Sequence, residues 1–142
     1  MTEKPAALLL EQAICTSLKE GRSVTILALG GSMFPTILPG TQLRLEPHPT
    51  RRPIVGDLVV VGRPDGGIAI HRAVRVNQAG EVLTWGDALP TPDGWGYTSV
   101  LAWPRILWIP WQPSAWTLWK GNLRVQAHLL SASLPCCWRK ER

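Results

Sequence analysis

The sequence predicts a mainly β, antiparallel domain behind one short helix. Three observations carry that expectation. Between residues 23 and 109 the chain is a series of short β-branched runs separated by Gly, Pro and Asp clusters. Tight-turn chemistry stands at Pro64-Asp65-Gly66-Gly67 and at Asn77-Gln78-Ala79-Gly80, where hairpin connections would need it. Ahead of these runs, Ala7, Leu10, Ile14 and Leu18 fall at helical spacing.

The helix is expected over residues 5–20. Glu11, Lys19 and Glu20 lie off the apolar stripe, and Gly21 supplies a C-terminal stop. The six strand candidates are 23–29, 41–46, 57–61, 68–76, 81–85 and 100–109. In the run 68–76 the two-residue period sends Ile68, Ile70, Val74 and Val76 to one face and Ala69, His71, Ala73 and Arg75 to the other. Alanines on either side of His71 leave room for an incoming chain or a neighbouring side chain, and an ordinary half-exposed histidine would give the same pattern. Past residue 109 no element is assigned, because Trp103, Trp108, Trp111, Trp116 and Trp119 crowd around Pro104, Pro110 and Pro113. The chain therefore divides into an amphipathic helix (1–22), a β domain (23–110) and a Trp-rich basic segment (111–142).

Composition narrows the function classes. A 142-residue chain with 45% hydrophobic and 18% charged residues can bury one ordinary core. Its net charge of +5 is modest, and no nucleic-acid partner is expected from it. Residues 1–22 are too short for a helix-turn-helix pair, which disfavours a DNA-responsive repressor. Cys15, Cys136 and Cys137 are an odd set with two adjacent members, unlike a disulfide framework, and no Cys/His spacing resembles a zinc site. No metal or cofactor is expected. No cleavable signal is read at the N-terminus, and Gly30, Gly31, Pro35 and Pro39 interrupt the longest uncharged stretch, so a cytoplasmic protein is expected. Residues 111–142 hold Lys120, Arg124, Arg139, Lys140 and Arg142 against Glu141, and Trp beside Lys and Arg suits peripheral membrane contact.

One stretch raises a chemical question. Residues 27–43 read LALGGSMFPTILPGTQL, with Ser32 on a glycine bend at the end of an apolar strand. A serine there is either a turn hydroxyl or a presented nucleophile, and the second role needs a base and an orienting acid elsewhere. His71 offers an imidazole, and Asp87 and Asp93 offer carboxylates within TWGDALPTPDGWGY. Taken alone, each aspartate beside glycine is a turn signal.

Gly31-Ser32-Met33-Phe34-Pro35-Thr36, Pro39-Gly40, Gly56-Asp57-Leu58-Val59-Val60-Val61, His71-Arg72 and Gly86-Asp87 with Asp93 together resemble the successive boxes of type I signal peptidases. More broadly they are similar to the serine peptidase clan that includes the self-cleaving LexA-type repressors. The resemblance covers residues 24–109, in the family's order. It implies a coiled antiparallel sheet or partial barrel. It also implies Ser32 as nucleophile, with its backbone N–H as an oxyanion donor, and Asp93 as the acid that orients the base. Asp87 is the second carboxylate of the same box. The clan's base is a lysine or a histidine. Lys4, Lys19, Lys120 and Lys140 all lie outside the stretch where a lysine would fall, whereas His71 matches the histidine of the archaeal, endoplasmic-reticulum and sporulation-type enzymes.

The implied substrate is an extended peptide with small residues before the cut, held by Gly30, Gly31, Met33, Pro35, Ala69 and Ala73. Leader peptides of ribosomally made precursors fit that class by analogy. The chain departs from the family in three ways. Gly30 stands where some relatives place a hydroxyl, which leaves the second oxyanion donor unassigned. Ala88-Leu89-Pro90 replaces a loop often rich in asparagine, and no spanning helix is read. The alternative is a non-catalytic module on the same fold that binds peptides or a membrane surface.

Overall fold

The computed structural model describes residues 5–28, 30–47 and 51–133. Cys136 and Cys137, the basic residues Arg139, Lys140 and Arg142, and Leu29 at the end of the first expected strand lie outside the described residues.

The first helix, α1 (Ala6–Lys19), ends as its sequence predicts. Gly21 has φ 83°, a conformation that a Cβ disfavours. Its N–H donates to the Leu18 carbonyl at 3.0 Å, and the Arg22 N–H donates to Ser17 at 2.9 Å, the paired bonds of a Schellman stop. The apolar stripe is right only in its second half. Ile14 and Leu18 are buried together with Cys15, but Leu10 is 59% exposed. Glu11, expected on the outer face, turns inward instead: its carboxylate accepts from Arg63 Nη2 at 2.6 Å and from the Ile68 N–H at 3.2 Å. An ion pair and a backbone bond outweigh the burial of one leucine at this end.

Six strands follow: β1 (Val24–Leu27), β2 (Gln42–Glu46), β3 (Leu58–Gly62), β4 (Ile68–Val76), β5 (Val82–Trp85) and β6 (Val100–Trp108). They form one open sheet in the order β1-β2-β6-β3-β4-β5, and every described pairing is antiparallel. The expected partial barrel is therefore not closed. Pro104 lies inside β6 without breaking it, because the strand pairs with β3 only at Val100 and Ala102 and with β2 further on, where Pro104 faces Leu45.

The segment left unassigned past residue 109 contains a second helix, α2 (Ala115–Ser133). Ser114 starts it: its Oγ accepts the Thr117 N–H at 3.2 Å. Gly121, Val125, His128 and Ala132 make its buried stripe. The Trp-rich segment thus docks on the domain over residues 115–133, with Trp116 and Trp119 on its outer face, 60% and 52% exposed.

Three apolar clusters organise the core. Ile14, Leu18, Met33, Ile37, Leu43, Leu45 and Val60 pack under α1. Val59, Val61, Ala69, Ala73 and Val82 fill the opposite face of the sheet, covered by Trp95 and Trp103. Val74, Leu83, Trp85 and Ala132 join β4 and β5 to α2. Leu43 and Leu45 are wholly buried, and each such side chain contributes about 1.5–3 kcal/mol of transfer free energy. The register irregularity between Ala73 and Arg75 corrects one expectation: Val76 packs with the Ala69 and Ala73 cluster, not with Ile68 and Ile70. A bulge reverses the facing of the residues beyond it.

Candidate active site

β4 carries His71 on the face that holds Ala69 and Ala73, as the alternation predicts. That face is closed and not open to solvent. His71 is 6% exposed, and its ring lies nearly parallel to Trp95, at 16° and 6.1 Å between centroids. A buried imidazole needs partners for both nitrogens, and it has them. Nδ1 lies 2.5 Å from Asp93 Oδ2, and Nε2 lies 3.1 Å from Ser32 Oγ. A carboxylate only accepts, so Nδ1 carries the proton and Nε2 is left to accept from the serine hydroxyl.

Each partner is held in turn. Asp93, 8% exposed, follows β5, and its N–H donates to the Thr84 carbonyl at 3.0 Å. Thr84 Oγ1 donates to the same carboxylate oxygen as His71, at 2.7 Å. Sequence reasoning missed this threonine. Its position opposite Ala73 in the β4–β5 pairing, on the strand just before the Asp87–Asp93 loop, was the available signal. Ser32 stands at the head of the turn that joins β1 to β2. Its carbonyl accepts the Ala88 N–H at 2.8 Å. A Cβ on Gly86 would come within 2.9 Å of that carbonyl, so the close approach of the two loops requires glycine at 86. The Ser32 N–H has no acceptor among the described residues and is free to serve an oxyanion.

Asp87 does not join this group. It is 1% exposed, and both carboxylate oxygens are taken up elsewhere. Arg72 Nε donates to Oδ1 at 2.9 Å and Arg72 Nη2 to Oδ2 at 2.7 Å, while Thr36 Oγ1 donates to Oδ2 at 2.6 Å. Arg72 Nη1 also donates to the Gly56 carbonyl at 2.7 Å. Asp87 is thus the centre of a buried clamp that ties β4, the turn after Ser32 and the loop after β5 together. The second carboxylate of the box thus makes no described hydrogen bond to Ser32 or His71; its oxygens accept from Arg72 and Thr36 instead.

The expected substrate contacts separate into two groups. Gly30 and Gly31 are exposed, and an added Cβ would meet nothing within 4 Å, so this edge of the site is open. Met33, Ala69 and Ala73 are buried at 4%, 8% and 0% exposure. Met33 packs under α1, and its sulfur accepts the Asp87 N–H at 3.3 Å. Ala73 exchanges backbone bonds with Gly56 and Asp57. These three shape the floor of the site and present no surface to a ligand. Pro35 is buried too, against α2. The space expected beside His71 is filled by the protein itself, chiefly by Trp95.

Beyond the turn that carries Ser32 lies an apolar cleft of about 230 Å³ lined by Pro35, Thr36, Leu38, Ile106, Ile109 and Leu118. Trp108 and Trp111 are exposed in the same part of the chain, and Lys120 Nζ sits 5.0 Å from the Trp116 ring centroid. Among the described residues no group of His, Cys, Asp and Glu could hold a metal ion, and no helix is long and apolar enough to cross a membrane.

Comparison with protein-family models, with curated proteins and with solved structures returns no match to this chain.

Proposed function

We propose that the chain is a serine endopeptidase of signal-peptidase type, cutting a leader or signal peptide after small residues by a Ser-His-Asp mechanism. One observation carries the reading. Ser32 Oγ, the two ring nitrogens of His71 and the Asp93 carboxylate, drawn from positions up to 61 residues apart, stand in a continuous hydrogen-bonded line. A turn serine and a turn aspartate have no structural need for that line.

The chemistry follows from the geometry. Ser32 Oγ attacks the scissile carbonyl while its proton passes to His71 Nε2, and Asp93 stabilises the imidazolium that forms. The Ser32 N–H donates to the developing oxyanion, a contribution of about 3 kcal/mol for one such donor. His71 then returns the proton to the leaving amine, leaving an acyl-enzyme on Ser32. Water attacks that ester, giving its proton to His71, and Ser32 is released with its hydroxyl restored. The open edge at Gly30 and Gly31 suits an extended peptide lying close to the backbone.

We place the enzyme in the cytoplasm on its cysteine usage, with peripheral membrane contact through the exposed tryptophans. Those tryptophans also favour a second reading, a non-catalytic module that binds peptides or a membrane surface. Peptides carrying Ala-x-Ala before varied residues, incubated with the purified chain and read by mass spectrometry, discriminate between the two. The peptidase reading expects cleavage after the small residue, lost in Ser32→Ala. Tight binding that survives Ser32→Ala, with no peptide cut, supports the module instead.

A further inference from the structure

The last helix crosses the back of the site at two points. Near its start, Gly121 meets the Pro35 ring, three residues past the nucleophile; a Cβ on Gly121 would clash with Pro35 Cγ and Cδ. Two turns later, His128 stacks on Trp85 with 4.0 Å between centroids and 11° between planes. Trp85 is the last residue of β5, directly before the loop that binds the Ser32 carbonyl through Ala88. Its indole N–H donates to the Leu89 carbonyl at 2.9 Å, and Leu89 packs into the cluster shared with Ala132. One helix therefore presses on the turn that presents Ser32 and, through Trp85, on the loop that tethers it.

We propose that α2 is a positioning element for the nucleophile, with Gly121 against Pro35 and His128 against Trp85 as its two points of purchase. The inference rests on the reading of Ser32 as a nucleophile. Undocking α2 frees the turn over residues 32–38 and lowers the reactivity of the hydroxyl while the sheet stays folded. A hydroxyl displaced by about 1 Å from its base loses roughly 100-fold in rate.

The second contact makes docking sensitive to acid. His128 is 8% exposed, and its Nδ1 has no partner among the described residues. Charges act on it from three elements: Asp87 on the loop after β5 favours the imidazolium, while Arg124 on α2 and Arg72 on β4 oppose it. Burial is the largest influence and holds His128 below the ordinary histidine value. In the docked state the ring therefore stays neutral to lower pH than in the undocked one. Docking is strongest above the ordinary value of about 6.5 and is lost as pH falls from there through the depressed docked value.

Amide hydrogen exchange, combined with the rate at which a fluorophosphonate labels Ser32, tests this. Gly121→Leu is expected to strip protection from the amides of α2, Phe34 and Ala88, to leave Val59, Val60 and Val61 protected, and to slow labelling at least ten-fold. In a Pro35→Ala background, which removes the ring atoms that a Cβ meets, Gly121→Ala is expected to slow labelling less than it does in the native chain. His128→Phe keeps the stack and is expected to retain α2 protection below pH 6, where the native chain loses it. Labelling at the native rate in Gly121→Leu, or equal acid sensitivity of α2 in native and His128→Phe chains, overturns the proposal. If native Ser32 takes no label, the peptidase reading fails, and the exchange at Phe34 and Ala88 still reads whether α2 holds the two loops.

Discussion

Two buried histidines, His71 and His128, share almost every gross property. They are 6% and 8% exposed, and each lies nearly parallel to a tryptophan. Yet His71 has a carboxylate on one nitrogen and a hydroxyl on the other, while Nδ1 of His128 meets no described partner. Burial and an aromatic neighbour therefore do not make a base. What differs is the donor and acceptor pattern around the ring: His71 is fixed in one tautomer and faces the Ser32 hydroxyl, whereas His128 lies against Trp85 as a plate whose burial disfavours charge.

The two aspartates repeat the lesson. Asp93 and Asp87 are both buried and lie on the same loop, but Asp93 faces an imidazole and a hydroxyl, and Asp87 faces a guanidinium fork. The first arrangement orients an imidazole, and the second locks three segments of chain together.

The largest expected effect breaks the first contrast outright. Ser32→Ala and His71→Ala should each lower the peptide cleavage rate by about 10⁴-fold or more, and the double variant should be little worse than either, because the two act as one unit. Steady-state kinetics with an Ala-x-Ala peptide measure it. Next, Asp93→Asn should lower kcat by about 10³–10⁴-fold while the fold is retained. Arg72→Met should act the other way, reducing stability by about 3–5 kcal/mol in urea denaturation by leaving Asp87 buried without its partner. If Asp87→Asn and Asp93→Asn gave the same kinetic loss at equal stability, the division of labour between the two carboxylates would be wrong.

Smaller effects sharpen the comparison. Thr84→Val should cost about ten-fold in kcat, the worth of one hydrogen bond to the orienting carboxylate. His128→Phe should change the melting temperature little at pH 8 and raise it relative to the native chain below pH 6, since the variant has no proton to take up.

Much of this arrangement was legible in the sequence. The expected strand at 68–76 has the same bounds in the structure, because its alternation and flanking turns agree. Ser32, His71 and Asp93, singled out by the resemblance to the peptidase boxes, stand in hydrogen-bond contact in the fold. What stayed hidden depends on contacts made only in three dimensions. Val76 changes face because of a bulge that the pattern does not announce. Met33 and Ala73, expected to touch a substrate, are buried, because an apolar residue near Ser32 can equally be the floor beneath it. α2 escaped notice because its stripe includes Gly121 and His128, neither of which reads as apolar, while its outer face carries Trp116 and Trp119. The glycine that weakens the helix signal is the one that Pro35 requires.

The central claim is that His71 activates Ser32, and covalent labelling tests it most directly. A fluorophosphonate incubated with the native chain at neutral pH should give one adduct, mapped by mass spectrometry to Ser32, and none above background in His71→Ala. Equal labelling of Ser32 in the two proteins would contradict the account, since the hydroxyl would then react without the imidazole beside it.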